Sequence, residues 1–113
     1  MLLSHNIRIS NTPNVLNDAT AEQAVTLMLA AARNTVIGVN IAMGTAQPEL
    51  NINFHGRQFS GSTVGIVGMG RIGMAVAKRA KAFDCNILYH NRSQRSDEST
   101  VGATYYKGID YNL

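Results

Sequence analysis

The sequence predicts an α/β fold, a parallel sheet preceded by a long helix, and three observations carry that prediction. A short β-branched run, "STVGIV" (residues 62–67), is followed at once by a glycine-rich turn and then by apolar residues at helical period. One helix later a second apolar run, "NILYH" (residues 86–90), gives the spacing of a strand–helix–strand unit. Upstream, residues 20–33 carry another apolar stripe at helical spacing.

From the N-terminus, residues 6–10 alternate weakly and are expected to form a short strand. "NTPN" (11–14) marks a turn, because Pro13 lacks an amide donor and disfavours helix at Thr12. "TAEQ" (20–23) matches a capping box, in which the Thr20 hydroxyl accepts from the Gln23 backbone N–H and the Gln23 side chain reaches back. The helix so started sets Ala21, Ala24, Val25, Met28, Ala31 and Ala32 on one face and is expected to run to about Arg33. Residues 44–61, with Pro48, Gly56, Gly61 and several Asn and Gln, read as a crossing loop.

The run at 62–67 suits a buried parallel strand. Beyond the glycine turn, Ile72, Val76, Ala80 and Phe83 share a helix face, with Arg71, Lys78 and Lys81 off it. Asp84 and Cys85 end that helix, and residues 86–90 form the second strand. The polar stretch up to Thr100 is expected to hold a short helix, and "GATYY" (102–106) a third strand. The expected organisation is an N-terminal strand, helix and crossing loop over residues 1–58, leading into a partial nucleotide-binding domain over 59–113.

Composition narrows the function classes. At 113 residues the chain suffices for one core, and 45% hydrophobic with 15% charged residues excludes a disordered chain. The net charge of +3 is concentrated between Arg71 and Arg95, which suits an anionic ligand; no run of like charges marks a nucleic-acid tail. Cys85 is the single cysteine, so no internal disulfide forms, and a reducing, cytoplasmic setting is expected. "MLLSHNIRIS" lacks the pattern of a secretory signal. Residues 24–44 are apolar enough to raise the question of a membrane span, but Arg33, Asn34, Thr35 and Asn40 interrupt them, and no membrane is expected.

The chemistry lies in "GMGRIG" (68–73). Following a strand and opening a helix, the motif reads as the diphosphate-binding turn of a Rossmann-type fold. Gly68 permits the tight turn, Gly70 lets backbone approach the diphosphate, and Gly73 lets the helix lie close on the strand. The amides of Arg71 and Ile72, at the positive end of the helix, would hold the anion.

The end of the second strand discriminates between coenzymes. Where an NAD-specific fold places an acid, about 20 residues on, to bind the ribose 2′-hydroxyl, this chain has Asn91 followed by Arg92, Ser93, Gln94 and Arg95. Arg92 and Arg95 would pair with a 2′-phosphate and Ser93 would donate to it, which favours NADP over NAD. The alternative is a solvated basic loop. His5, His55 and His90 are scattered without ligand spacing, so no metal is expected. Cys85 reads as a buried small hydrophobe, and no nucleophile signature such as G-x-S-x-G occurs. An S-adenosylmethionine-binding methyltransferase fragment shares a glycine-rich turn, but it expects an acid where Asn91 and Arg92 stand.

These motifs resemble the D-isomer-specific 2-hydroxyacid dehydrogenases, and within them the glyoxylate/hydroxypyruvate reductase branch. "ISNTPNVLNDATAEQAVTLMLAAAR" (9–33) is similar to the segment leading into that family's coenzyme domain. "FSGSTVGIVGMGRIGMAVAKRAKAFDCNILYHNRS" (59–93) is similar to its nucleotide-binding unit, and "GATYYKGID" (102–110) to its next strand. Residues 36–53 match less well, and the tryptophan usual there is absent.

The resemblance implies a two-domain, usually dimeric enzyme that reduces 2-keto acids with NAD(P)H. It implies that Gly70, Arg71 and Ile72 contact the diphosphate, and Arg92, Ser93 and Arg95 the 2′-phosphate. The family's catalytic Arg, Glu and His map onto no residue of this sequence, so no catalytic residue is assigned. Only the first, adenosine-binding half of the sheet is expected, with one edge and some apolar surface uncovered. The expected behaviour is coenzyme binding without turnover; the alternative is a non-catalytic dinucleotide-binding module that pairs with a copy or full-length paralogue through its first helix.

Overall fold

A computed structural model describes residues 8–47 and 55–108. Helices α1 (Asn17–Ala32) and α2 (Thr35–Ala42) precede strand β1 (Thr63–Val67), helix α3 (Arg71–Lys81) and strand β2 (Asn86–His90). A single 3₁₀ turn, Glu98–Val101, then leads into β3 (Ala103–Tyr105). The strands form one parallel sheet in the order β1-β2-β3. Thr63 pairs with Asn86 and Val67 with His90, while Ile87 pairs with Ala103 and Tyr89 with Tyr105. This is the Rossmann-type parallel sheet behind a leading helix that the sequence predicts.

The period-2 pattern decides which side of the sheet is covered. Val64, Ile87 and Tyr89 are buried, with Ile66 partly so, and they pack with Ala77 and Ala80 of α3. Burying each such aliphatic side chain contributes roughly 1.5–3 kcal/mol. The alternate residues Gly65, Val67 and Leu88 face away and stay uncovered, Val67 being 73% exposed. Helix α3 stops because Asp84 adopts the left-handed region (φ 58), which turns the chain into β2. Cys85 is fully buried, its Sγ 3.4 Å from the Phe59 carbonyl, and Phe59 meets Phe83 edge-on at 5.4 Å.

Helix α1 lies along the outer side of α3, with Ala21 and Val25 buried against Val76. Arg79 on α3 reaches Asp18 and Glu22 on α1, each at 3.1 Å. These are exposed acids, so the pair adds at most about 1 kcal/mol and mainly fixes the helices' register.

The structure corrects three expectations at the N-terminal side. The capping box is not a cap: α1 starts one turn earlier at Asn17, and the Thr20 N–H donates to the Leu16 carbonyl at 3.0 Å inside the first turn. The early start follows from Asn14, whose positive φ of 73 turns the chain, and from the pull of Arg79 on Asp18 and Glu22. On the packed face Leu29 takes the place expected for Ala31, which is exposed. Residues 8–10 of the expected first strand pair with no strand, and Ile9 is exposed, because alternation without a neighbouring edge leaves the backbone groups unpaired; residues 6 and 7 lie outside the described residues.

Helix α2 answers to no expectation from the sequence. It follows Asn34, itself at positive φ, and bends 67° from α1. The apolar run at 24–44 is therefore two helices, and among the described residues no single helix is long and apolar enough to cross a membrane. The described parts of the crossing loop, 44–47 and 55–61, carry no helix or strand. The Arg57 N–H donates to the Ala32 carbonyl at 2.6 Å and Arg33 Nε to the His55 carbonyl at 3.1 Å, tying that loop to the end of α1.

Candidate functional site

The site lies at the carboxyl ends of β1 and β2, where open parallel sheets present their ligand crevice. Gly68 leaves β1 with φ 100, a conformation that residues with a Cβ rarely adopt, and its N–H donates to the His90 carbonyl at 2.9 Å. The Gly70 N–H donates to the Gly68 carbonyl at 2.9 Å, closing the turn, and Gly70 is the N-cap of α3. The amides of Arg71, Ile72 and Gly73 donate to no group among the described residues. They are the orphan donors of a helix start, reinforced by the positive end of the helix dipole.

The three glycines have separable reasons. A Cβ on Gly73 would sit 2.5 Å from the Gly68 carbonyl oxygen, so the packing of α3 on the turn forbids one. Gly68 is fixed by its φ. Gly70 is different: its φ is −85, open to any residue, and a Cβ there would meet nothing within 4 Å. The fold itself gives no reason for glycine at 70, yet the residue lines a cleft of about 570 Å³ together with Gly68, Arg71, Ile72 and Gly73. A dinucleotide's diphosphate lying against the backbone at Gly70 supplies that reason, so these residues fit the coenzyme.

The opposite wall of this cleft is a segment sequence reasoning did not assign to the site: Asn11, Thr12, Pro13 and Asn14, with Leu16 and Asn17. The Arg71 guanidinium donates to the Asn14 side-chain oxygen, joining the two walls. Nothing local in "NTPN" signals this, because the partners are far apart in sequence and meet only when α1 docks on α3.

A second cleft of about 460 Å³ opens at the end of β2, lined by Val67, Gly68, His90, Asn91, Arg92 and Ser93. Arg92 and Ser93 are exposed there, and among the described residues no ion pair engages Arg92. Asn91 is occupied: its side-chain Oδ1 accepts from the Met69 N–H at 2.7 Å. Arg95, expected beside Arg92, does not line this cleft. Its Nε and Nη2 each donate to Asp97 at 2.6 Å, and its Nη1 donates to the Met69 carbonyl at 3.0 Å. The hydrogen bonds from Arg95 hold the Asp97 carboxyl below its ordinary range, and the same bonds raise Arg95 further.

Two tyrosines anchor the loop between β2 and the 3₁₀ turn. Tyr89 is 1% exposed; its hydroxyl accepts from the Arg95 N–H at 2.9 Å and donates to the Glu98 carboxylate. Burial first, and the bond to Glu98 second, push that phenol above its ordinary pKa. The Tyr105 hydroxyl donates to the Asn91 carbonyl at 3.1 Å. His90 Nδ1 lies 2.9 Å from the Tyr106 carbonyl, and its ring stacks on Tyr105, which is a structural role. Among the described residues no three His, Cys, Asp or Glu side chains gather to hold a metal.

Comparison with known proteins agrees with this geometry. The pattern of the family described as D-isomer specific 2-hydroxyacid dehydrogenase, NAD binding domain, matches residues 17–111. A glyoxylate reductase of Pyrococcus furiosus is 43% identical over 105 residues, covering 88% of this chain and 31% of the relative. A glyoxylate reductase of Thermococcus kodakarensis is also 43% identical over 105 residues, covering 88% of this chain and 32% of that protein. Among solved structures, a glyoxylate reductase from Paecilomyes thermophila superposes with a TM-score of 0.74 at 40% identity, covering 93% of this chain and 31% of the other. The chain thus spans about a third of the length of the relatives it matches.

Proposed function

The chain belongs to the D-isomer specific 2-hydroxyacid dehydrogenase family through its coenzyme-binding domain, and from that premise we propose that it binds a nicotinamide dinucleotide, NADP in preference to NAD. The observation that carries the reading is Gly70, a glycine that the fold does not need and that faces the open cleft. The diphosphate would take the amides of Arg71, Ile72 and Gly73, and the adenosine ribose would lie in the second cleft against Asn91, Arg92 and Ser93. The preference for NADP rests on Arg92, an exposed cation where an acid would select NAD.

The whole enzyme's reaction is proposed to be reduction of a 2-keto acid of the glyoxylate or hydroxypyruvate type, supported by the relatives named glyoxylate reductase. The coenzyme, when bound, supplies the hydride. The residues described here hold and orient its adenosine end. Hydride transfer also needs the nicotinamide and keto carbons held close, and three strands make only the first half of the sheet that would do this. The 113-residue polypeptide assayed alone is therefore proposed to bind without turnover. Its free, buried Cys85 suits a reducing compartment, and a cytoplasmic setting is proposed.

Calorimetric titration with NADPH and NADH tests the reading. NADPH is expected to bind more tightly, and Arg92→Ala to weaken NADPH by about 1–3 kcal/mol while leaving NADH nearly unchanged. Tighter binding of NADH would contradict the NADP assignment. Steady-state turnover of hydroxypyruvate or glyoxylate with NADPH by this polypeptide would overturn the claim of inactivity.

A second reading, a non-catalytic module that pairs with another copy or a full-length paralogue, is favoured by α2. That helix carries no charge and buries no residue; Val36 and Val39 on it are exposed, and Val36 lines a shallow cleft together with Leu27 of α1. Size-exclusion chromatography with and without a full-length paralogue discriminates: a strictly monomeric, stable chain argues against pairing.

A further inference from the structure

The loop after β2 contains two arginines that look alike in sequence and have different surroundings. Met69, between Gly68 and Gly70, is fully buried, and both polar groups of its backbone are taken by side chains of this loop. Asn91 Oδ1 accepts the Met69 N–H at 2.7 Å, and Arg95 Nη1 donates to the Met69 carbonyl at 3.0 Å. Asp97 grips the other edge of the same guanidinium through two 2.6 Å bonds, so Arg95 has a fixed direction and a compensated charge. The loop is pinned at one end by Tyr105 on the Asn91 carbonyl and at the other by Tyr89 on the Arg95 N–H. Of the loop residues that line the second cleft, Asn91 is half-buried with its side chain bonded to Met69, and Arg92 and Ser93 are exposed.

We propose that Asn91 and Arg95 are positioning residues that bracket Met69 and set the glycine turn, while Arg92 with Ser93 alone reads the 2′-phosphate. A buried residue whose N–H and carbonyl are both engaged has the peptide on each side held and little freedom to rotate. Its neighbours Gly68 and Gly70 line the diphosphate cleft, so loss of either bracket misplaces the turn for every dinucleotide equally. The electrostatic preference for a phosphorylated ribose is a separate matter, carried by the exposed charge at Arg92, which makes no ion pair among the described residues. This inference rests on the dinucleotide-binding reading above and divides its residues into two roles.

The experiment compares NADH with NADPH, which differ only in the 2′-phosphate, on the full 113-residue chain and its variants. Arg92→Ala is expected to lower the ratio of NADPH to NADH affinity about tenfold and leave NADH unchanged. Arg95→Ala and Asn91→Ala are expected to weaken both ligands about fivefold or more at an unchanged ratio. Asn91→Asp retains an acceptor for the Met69 N–H, so it should restore NADH binding while lowering NADPH, through repulsion of the added phosphate. An Arg95→Ala variant that lowers the ratio as Arg92→Ala does would show Arg95 to be a direct ligand and overturn the proposal.

Hydrogen exchange at the Met69 amide, measured without ligand, keeps the two readings apart. Protection should be lost in Asn91→Ala and kept in Asn91→Asp. A wild-type chain that binds neither nucleotide but shows this exchange pattern would remove the coenzyme reading and leave the bracket standing. Unchanged protection in Asn91→Ala would remove the bracket itself.

Discussion

The two clefts meet at Gly68 and are built from different materials. The first is lined with backbone: three amides at the start of α3 that donate to no group among the described residues, and a glycine with no Cβ to obstruct an approach. The second is lined with side chains on a loop, where Arg92 is open and Arg95 is engaged by Asp97 and Met69. Backbone recognition is fixed once the strand, turn and helix form, because the donors are part of the secondary structure itself. Side-chain recognition depends on which partner each side chain finds first, and two residues of one type three positions apart can end in opposite roles.

The sharpest way to break this contrast is at Gly73. A Cβ there meets the Gly68 carbonyl oxygen at 2.5 Å, so Gly73→Ala must push α3 off the turn. The expected cost is about 1–3 kcal/mol of stability, a fall in Tm of roughly 4–8 °C for each kcal/mol, read by thermal unfolding. An unchanged Tm would show that the close packing of helix on turn is not what glycine serves there.

Gly70→Ala is the complementary test and has a smaller effect, confined to binding. No atom lies within 4 Å of the new methyl group and the backbone is already in an ordinary region, so stability should move by no more than about 0.5 kcal/mol. Binding of NADPH and NADH should fall together by about tenfold, equivalent to about 1.4 kcal/mol, in the same calorimetric titration. A variant that binds both as wild type does would remove the observation on which the functional reading stands.

The same division explains how much of the molecule was legible in the sequence. The strands and α3 were readable to within a residue or two, because β1, β2 and α3 satisfy local period, turn and packing requirements at once. The tight turn at Gly68 and the close packing at Gly73 were readable for the same reason. The start of α1 was not: the capping box at 20–23 is a sound local signal, but Asn14 and the reach of Asp18 and Glu22 to Arg79 start the helix a turn earlier. Helix α2 has neither a side-chain cap nor a buried face to announce it. The wall formed by residues 11–14 and the bond from Arg95 to the Met69 carbonyl depend on contacts across long stretches of sequence, which no local pattern encodes, whereas Asp97, two residues from Arg95, was a local signal left unread.

The smallest expected effect is on pH dependence, and it separates the clefts by whether their supports titrate. The backbone donors of the first cleft carry no proton in question. The bracket behind it includes Asp97, whose carboxyl is held below its ordinary value mainly by the hydrogen bonds from Arg95. A depressed folded-state value means that the contribution is fully present above the unfolded carboxyl's pKa near 4 and is lost as pH falls through the lower folded value. Arg95 and Asp97 are a third to a half exposed, so solvent screening keeps the slope shallow. At the alkaline end the sign reverses: Tyr89 is raised by burial and by Glu98, so its contribution is present below about pH 10 and fades as pH rises through the folded value. Tm measured across the acid range should therefore fall less steeply below about pH 4 in Asp97→Asn than in the wild type, and across the alkaline range less steeply above about pH 10 in Tyr89→Phe. Identical acid slopes for wild type and Asp97→Asn would mean that the Arg95–Asp97 pair, though well formed, does not hold the loop against the turn.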